Sequence, residues 1–372
     1  MTWNWQRPDW PDVTWTKARL ALAERQFLRE TGVFFGAVKH VTAEGREQLT
    51  VEAISSEALT TSAIEGEILD RASVQSSVRK ELGLTTDRKR SAPREQGIAA
   101  MTVDLHRRFA EPLSDEMLFA WHAMVMQGSH GIPDIGRYRT SAEPMQVISG
   151  RIDAPKVHFE APPSKKVPAE MKRFIRWFHQ TAPGGPSELP ALTRAGIAHL
   201  YFESIHPFED GNGRSGRAIA EKAMAQSQGQ PTLIALATTI FAHRKTYYDK
   251  LEAANKKNEI TAWLTWFAAI AIEAQLRTIA QVEFLIDKTH LLDRLRGHLN
   301  PRQEKALLRM LQEGPAGFKG GLSASNYASI TEASPATTTR DLTDLVDKGA
   351  LRREGELRHA RYHLTIRSSL AD

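Results

Sequence analysis

Residues 199–224 read HLYFESIHPFEDGNGRSGRAIAEKAM, two helical runs broken by a proline and a glycine-rich stretch. Leu200, Phe202 and Ile205 give the first run the apolar side of a buried helix. Pro207 stops it, because proline lacks an N–H and disfavours a helical residue before it. Gly211, Asn212 and Gly213 then form a loop opening onto the next helix, SGRAIAEKAM. Free backbone N–H groups and the positive dipole end make an anion site at such a helix start. Arg214 and Arg217, three apart, share a face and offer guanidinium forks suited to phosphate. Asp210 is a hard oxygen donor beside that site, suited to Mg²⁺. His206 is the local side chain able to take a proton near neutral pH. A base, a metal ligand, an anion hole and two phosphate clamps together describe phosphoryl or nucleotidyl transfer.

Two rival motifs fail on context. Gly211–Gly216 formally matches GxGxxG, but a helix rather than a strand precedes it, and residues near 236 read LIALATT with no acidic group. A P-loop needs Lys and Ser/Thr where Arg217 and Ala218 stand.

HPFEDGNGRSGR resembles the signature of the Fic family, HPFx(D/E)GNGRxxR, at every fixed position. Eight fixed positions would coincide by chance in such a chain with a probability on the order of 10⁻⁸. The resemblance covers roughly residues 113–272. It implies a mainly α fold: a Fic helical core with a small β-hairpin flap. It implies a protein adenylyltransferase that moves AMP from ATP to a Ser, Thr or Tyr hydroxyl of a target protein, itself included. His206 resembles the general base, and Asp210 the ligand of the Mg²⁺ that tethers the phosphates. Gly211, Asn212, Gly213, Arg214, Ser215 and Gly216 resemble the phosphate-binding loop, and Arg217 the clamp on the γ-phosphate. Gly213 argues against a phosphorylating branch that has Lys there; another nucleotide donor stays open. Tyr247, Tyr248 and Asn255 resemble residues of the adenine pocket, and otherwise read as positions on an amphipathic helix. Val147, Ile148, Ser149 and Gly150 resemble the target-docking flap. Thr61-Ser62-Ala63-Ile64-Glu65-Gly66 matches the family's inhibitory motif (S/T)xxxE(G/N), with Glu65 placed to compete with the γ-phosphate for Arg217. Ser62-x-x-Glu65 also reads as a capping box for a helix start. In some relatives the same glutamate supports removal of AMP.

Outward from the motif, the chain is helical by pattern. KARLALAERQFLRE carries Leu20, Ala23 and Phe27 at helical spacing, and Gly32 reads as its C-cap. A second helix is expected over 43–57, and KELGLTTDRKRSAP reads as an exposed loop. Further helices are expected over 94–109, 115–128, 167–181, 188–205, 214–227, 241–254 and 260–299. Met145–Ser149 and Lys156–Glu160 read as a hairpin. Four of the eight tryptophans, Trp3, Trp5, Trp10 and Trp15, sit in the first 15 residues. That arm either straps its own domain or contacts a partner, such as a second copy in a homodimer. His199 reads as a core histidine; His122, His130 and His158 carry no assignment.

The expected domains are 1–108, a helical part with the arm and the motif at 61–66; 109–272, the catalytic core; 273–300, a connecting helix; and 301–372. Three helices and a two-stranded hairpin in the last resemble a winged helix-turn-helix, with Thr337 to Thr339, Arg340 and Thr343 on the recognition helix. Its 11 basic against 9 acidic residues are a weak charge signal for DNA, which leaves DNA or protein contact open. A regulator whose core senses nucleotide is therefore the competing expectation.

The 372 residues carry a net charge of +5 and are 41% hydrophobic, enough for a sizeable core. Having no cysteine, the chain has no disulfide, thiol nucleophile or Cys-based zinc site. No run approaches 18 apolar residues, and no signal segment opens the chain, so a cytoplasmic protein away from membranes is expected.

Overall fold

The computed structural model describes residues 2–85, 91–151, 154–318 and 320–366. Fourteen α-helices and two hairpins are present among them. The first half runs α1 (Lys17–Val38), α2 (Ala43–Ile64), α3 (Arg71–Glu81), α4 (Pro93–Arg107), α5 (Asp115–Val125), the hairpin β1 (Gln146–Arg151) and β2 (Ala154–Glu160), then α6 (Val167–Gln180). There follow α7 (Ala191–Ile205), α8 (Asn212–Gln228), α9 (Leu236–Ala242), α10 (Arg244–Ala254) and α11 (Thr261–Leu295). Last come α12 (Pro301–Leu311), α13 (Ala324–Thr331), α14 (Pro335–Asp347) and a second hairpin, β3 (Leu351–Glu354) with β4 (Arg361–Leu364).

The compact units cut the chain differently from the expected boundaries. Residues 1–31 and 47–275 form one, and 32–46 with 276–372 the other. The first unit is built around α7, every residue of which is buried. Phe174, Phe178 and Phe208 pack around it with its own Phe202, each fully buried and worth about 1.5–3 kcal/mol. Gly196 lets α11 close on α7: a Cβ there would lie 2.8 Å from Leu264 Cδ2, and its carbonyl accepts from Trp263 Nε1 at 2.8 Å. Buried Arg194 lies 4.1 Å over the Phe178 ring and donates to Phe178 O, Ala223 O and Gln226 Oε1, tying α7 to α6 and α8.

The tryptophan arm straps this unit. Trp10 packs edge-on against Tyr201 at 5.0 Å, and Trp5 Nε1 donates to Glu160 O at 2.6 Å. Asn4 N donates to Asn255 O at 2.7 Å, and Thr14 N to Asn258 O at 2.8 Å.

Several expectations shift. Gly32 does not cap α1, which continues to Val38 because Phe27 and Phe34, seven apart, keep one side buried. α2 runs past 57 to Ile64, since Ala58, Thr61, Ser62 and Ile64 continue its buried side. Ser62 therefore stands near a helix end, and the capping-box reading fails. α8 starts at Asn212, so Asn212 and Gly213 belong to its first turn and not to a loop. The run 241–254 is two helices, α9 and α10. Residues 86–90 of the expected loop lie outside the described residues.

In the second unit α12, α13 and α14 enclose Leu307, Met310, Tyr327, Leu342 and Leu345. Asn300, Ser323 and Ser334 cap the three helices through their side-chain oxygens. Buried Asp341 accepts from Asn300 Nδ2, Arg302 Nε and Tyr327 OH at 3.0, 2.8 and 3.0 Å. Thr339, Arg340 and Thr343 are exposed on α14, whereas Thr338 is buried. No described helix is long and apolar enough to cross a membrane.

Candidate active site

The buried α7 delivers His206 to the end of a rigid rod. His206 itself is left-handed, φ 50° and ψ 62°, a conformation that costs a non-glycine residue roughly 1–2 kcal/mol. Neighbours over-determine it. Arg139 donates through Nε to His206 O at 2.8 Å and through its backbone N–H to Pro207 O at 2.9 Å. Asn212 closes the following turn from both sides: Oδ1 accepts from Phe208 N at 2.9 Å, and Nδ2 donates to Phe208 O at 2.8 Å. His122 stacks flat on Phe208 with centroids 4.0 Å apart. Its Nδ1 accepts from Gly136 N, so Nε2 carries the proton and donates to Asp210 O at 3.2 Å. Gly211 has φ 78°, and a Cβ there would meet Met126 Sδ at 3.1 Å.

His206 faces a cleft of about 550 Å³. Burial, then the Arg139 charge, lowers its pKa to about 4, so the imidazole is neutral at pH 7. Its Nδ1 has no hydrogen-bond partner; Glu203 Oε2 lies 3.8 Å away. Burial, then Glu65, pushes Glu203 up to about 8, so it keeps its proton at neutral pH. The His206–Glu203 contact is thus a neutral pair.

The two motif arginines are buried and already partnered. Arg217 donates from Nε to Thr61 Oγ1 at 2.7 Å, and from one terminal nitrogen to Thr61 O at 2.8 Å and Glu65 Oε1 at 2.7 Å. Its other terminal nitrogen has no partner. Burial opposes the Arg217 charge, but Glu65, Tyr247 and Glu203 outweigh it and raise its pKa. Arg214 pairs with Glu67 at 2.6 Å and lies 3.6 Å from Asp210. The backbone ends α2 at the right place for this. Gly66, φ 87°, donates to Ala63 O, and Glu67 N donates to Ser62 O, a Schellman stop that leaves Glu65 as the last capping residue. Glu65 then fits only because position 213 has no side chain: a Cβ on Gly213 would lie 2.2 Å from Glu65 Oε1.

Asp210, Gly211, Asn212 and Gly213 line the cleft with His206, and so do Glu65, Tyr247, Tyr248 and Asn255. Val147, Ile148 and Ser149 form the hairpin side. Gly150 pairs with Pro155 farther along the ladder. Arg214, Ser215, Gly216 and Arg217 lie behind the cleft wall. Ser215 Oγ is buried without a partner, and a Cβ on Gly216 would lie 2.5 Å from Glu203 Oε1. Tyr247 OH bonds His199 Nε2 at 2.9 Å, and Tyr248 OH donates to Ile64 O at 3.2 Å. Asn255 Oδ1 accepts from Ser204 Oγ at 3.3 Å.

Asp210 is the carboxylate that would hold a Mg²⁺ ion here. Asp210 is more than half exposed on the cleft. No cluster of three or more His, Asp or Glu capable of holding a metal occurs among the described residues. That donor set suits an ion that keeps its waters and completes its shell with phosphate oxygens.

Sequence reading missed Glu203, Arg139, Glu67 and the part played by His122. Glu203 stands three before His206 on one helix face, a usable signal. Arg139 and His122 reach the loop from 67 and 88 residues away, and nothing in the local pattern marks them.

A family model described as Fic/DOC family matches residues 112–224, the stretch that carries the hairpin, His206 and the start of α8. A second, described as a domain of unknown function (DUF4172), matches residues 3–84. The chain is 27% identical over 145 residues to protein adenylyltransferase fic-1 of Caenorhabditis elegans, covering 39% of this chain and 25% of that protein. It is 33% identical over 86 residues to protein adenylyltransferase Fic of Drosophila melanogaster, covering 23% and 16%. The matched stretch thus spans a quarter or less of those relatives. A Fic family protein of Desulfovibrio desulfuricans shares the fold over 92% of this chain and 96% of its own, at TM-score 0.52 and 21% identity. A Fic-domain signalling protein of Bacteroides thetaiotaomicron does so over 69% and 98%, at TM-score 0.53 and 16% identity.

Proposed function

We propose that the chain is an autoinhibited protein adenylyltransferase, passing AMP from ATP to a hydroxyl of a target protein with release of diphosphate. The observation that carries this is the neutral, buried-ring base His206 sharing one cleft with Asp210, the α8 N-terminus and Glu65. His206 takes the proton of the target hydroxyl, and the freed oxygen attacks the α-phosphorus as the bond to the β-phosphate breaks. Gly211, Asn212 and Gly213 offer backbone donors to the phosphates, and Tyr247, Tyr248 and Asn255 receive the base. Asp210 would hold Mg²⁺, which neutralises phosphate charge when bound. Catalysis is then chiefly positioning and charge stabilisation. The exposed Val147 and Ile148 on β1 offer a strand edge for a target segment.

Glu65 occupies Arg217 in the resting state, so the γ-phosphate is denied its clamp and the α-phosphate its in-line position. Transfer of label from [α-³²P]ATP with Mg²⁺, into the protein itself and a cell lysate, tests this. Label on lysate proteins should rise in Glu65→Gly and vanish in Glu65→Gly/His206→Ala. Nucleotide binding with no label in any lane would favour a nucleotide-sensing regulator, with exposed Arg340 and Thr343 on α14 as its contact to DNA.

A further inference from the structure

The hairpin places a serine hydroxyl in the cleft. The ladder slips between Val147 and Ile148: Val147 pairs with Phe159 and Ile148 with Val157, so His158 is an extra, unpaired residue. Such bulges re-aim a side chain, and they favour active-site edges. Here the imidazole is aimed at two groups. His158 Nε2 lies 2.6 Å from Ser149 Oγ, and Nδ1 lies 2.6 Å from Glu252 Oε2 on α10.

The tautomer follows from the partners. Glu252 also receives Lys256 Nζ at 2.7 Å, and Lys256, then His158, holds its carboxyl well below the usual range. A permanent carboxylate accepts the Nδ1 proton, which leaves the Nε2 lone pair for the serine hydroxyl. Nucleophile, base and orienting carboxylate stand in the order that activates a hydroxyl. All three line the cleft that holds His206 and Asp210, and Ser149 is exposed to it. Neither His158 nor Glu252 has a part in the chemistry assigned to His206.

We propose that Ser149, activated by His158 and Glu252, is a self-modification site that accepts AMP from ATP bound in the cleft. The inference rests on the adenylyltransferase reading for its donor. In the step, Ser149 Oγ bonds to the α-phosphorus, the bond from that phosphorus to the bridging oxygen of the β-phosphate breaks, and diphosphate leaves. The hydroxyl proton passes to His158 Nε2. The product is a phosphodiester on the strand edge offered to targets.

Two probes separate the nucleophile from its donor. An alkyl fluorophosphonate needs no nucleotide site, and on Glu65→Gly protein it should phosphonylate Ser149, read by tandem mass spectrometry. That adduct should fall at least tenfold in His158→Gln and drop in Glu252→Gln. No adduct on Ser149, or one indifferent to both substitutions, overturns the activation. With [α-³²P]ATP and Mg²⁺, the Ser149 peptide should carry AMP in Glu65→Gly. It should keep that AMP in Glu65→Gly/His206→Ala, where lysate labelling is lost. Labelled lysate proteins with an unmodified Ser149 overturn the inference and leave the adenylyltransferase reading standing. Loss of the Ser149 label with His206→Ala overturns His158 as the base. A phosphonylated Ser149 with no ATP label on any protein overturns AMP acceptance together with that reading.

Discussion

Two short segments meet at Arg214, which pairs with Glu67 and lies 3.6 Å from Asp210, and they are held in opposite ways. The turn at 206–212 is fixed by the side chains of Arg139, Asn212 and His122, none of which the proposed chemistry uses. The segment Thr61–Glu67 is fixed to α8 through Arg214 and Arg217, the very cations the phosphates need. On the proposed mechanism the first attachment would survive turnover, and the second would have to be given up for turnover to begin. That mechanism expects damage to the turn to remove activity and damage to the segment to release it.

The largest effect should break the turn's side of this contrast at its chemistry. In a Glu65→Gly background, His206→Ala should lower label transfer to lysate proteins by about 10²–10⁴-fold, the usual worth of a positioned base. A residual rate within tenfold of the parent would remove His206 from that role. Next in size, Glu65→Gly alone should raise transfer about 10²-fold, since a misplacement of 1 Å carries a cost of that order. An unchanged rate in quantitative labelling would leave the Glu65–Arg217 contact without regulatory meaning.

Gly213→Ala sharpens the comparison, because it disturbs the segment from the turn's side. The new Cβ collides with Glu65 Oε1, so the substitution should raise wild-type transfer about tenfold and make Glu65→Gly nearly redundant on top of it. Full additivity in the double-mutant cycle would show that the glycine's missing side chain is not what seats Glu65. Asn212→Ala removes both bonds to Phe208, a cost of about 1–3 kcal/mol, and should lower the melting temperature by several degrees in calorimetry. A variant as stable as the parent would shift the burden of holding the turn to Arg139 and His122.

The smallest effect is in pH. Burial lowers His122, His199 and His206 to about 4, so their stability contribution is present above 6.5 and lost as pH falls toward 4. Glu203, raised to about 8, acts in the other direction: its contribution is full below 4.5 and lost as pH rises through 8. Thermal stability should peak near pH 6.5 in a calorimetric series. A plateau extending past pH 8 would mean that Glu203 ionises freely.

Much of the site could be read in advance because its chemistry is contiguous. His206 through Arg217 are one helix end, one turn and one helix start, and local rules fix all three. Glu65 was readable as a motif but not as geometry: Ser62 and Glu65 satisfy a capping box on paper. The buried run through Ile64 and the left-handed Gly66 turned that start into a stop. Arg139, His122 and Ser149–His158–Glu252 were out of reach for a different reason. Their partners lie 9 to 94 residues apart, and a single bulge residue decides where His158 points. Domain limits were equally opaque, since the strap at 3–16 and α2 share a core with α7 that no linker announces.

If the proposed inhibition holds, the Schellman stop at Gly66 has a consequence for how ATP would meet this protein. Because the backbone turn fixes Glu65 rather than leaving it on a loose strand, the carboxylate behaves as a tethered competitor. Even short flexible tethers give a local concentration of about millimolar, and a seated one acts well above it. Raising free ATP is then a weak way to win Arg217. The effective lever is the seating of α2 itself: whatever frays its last turn dilutes the competitor, and a small loss of helix becomes a large change in dose.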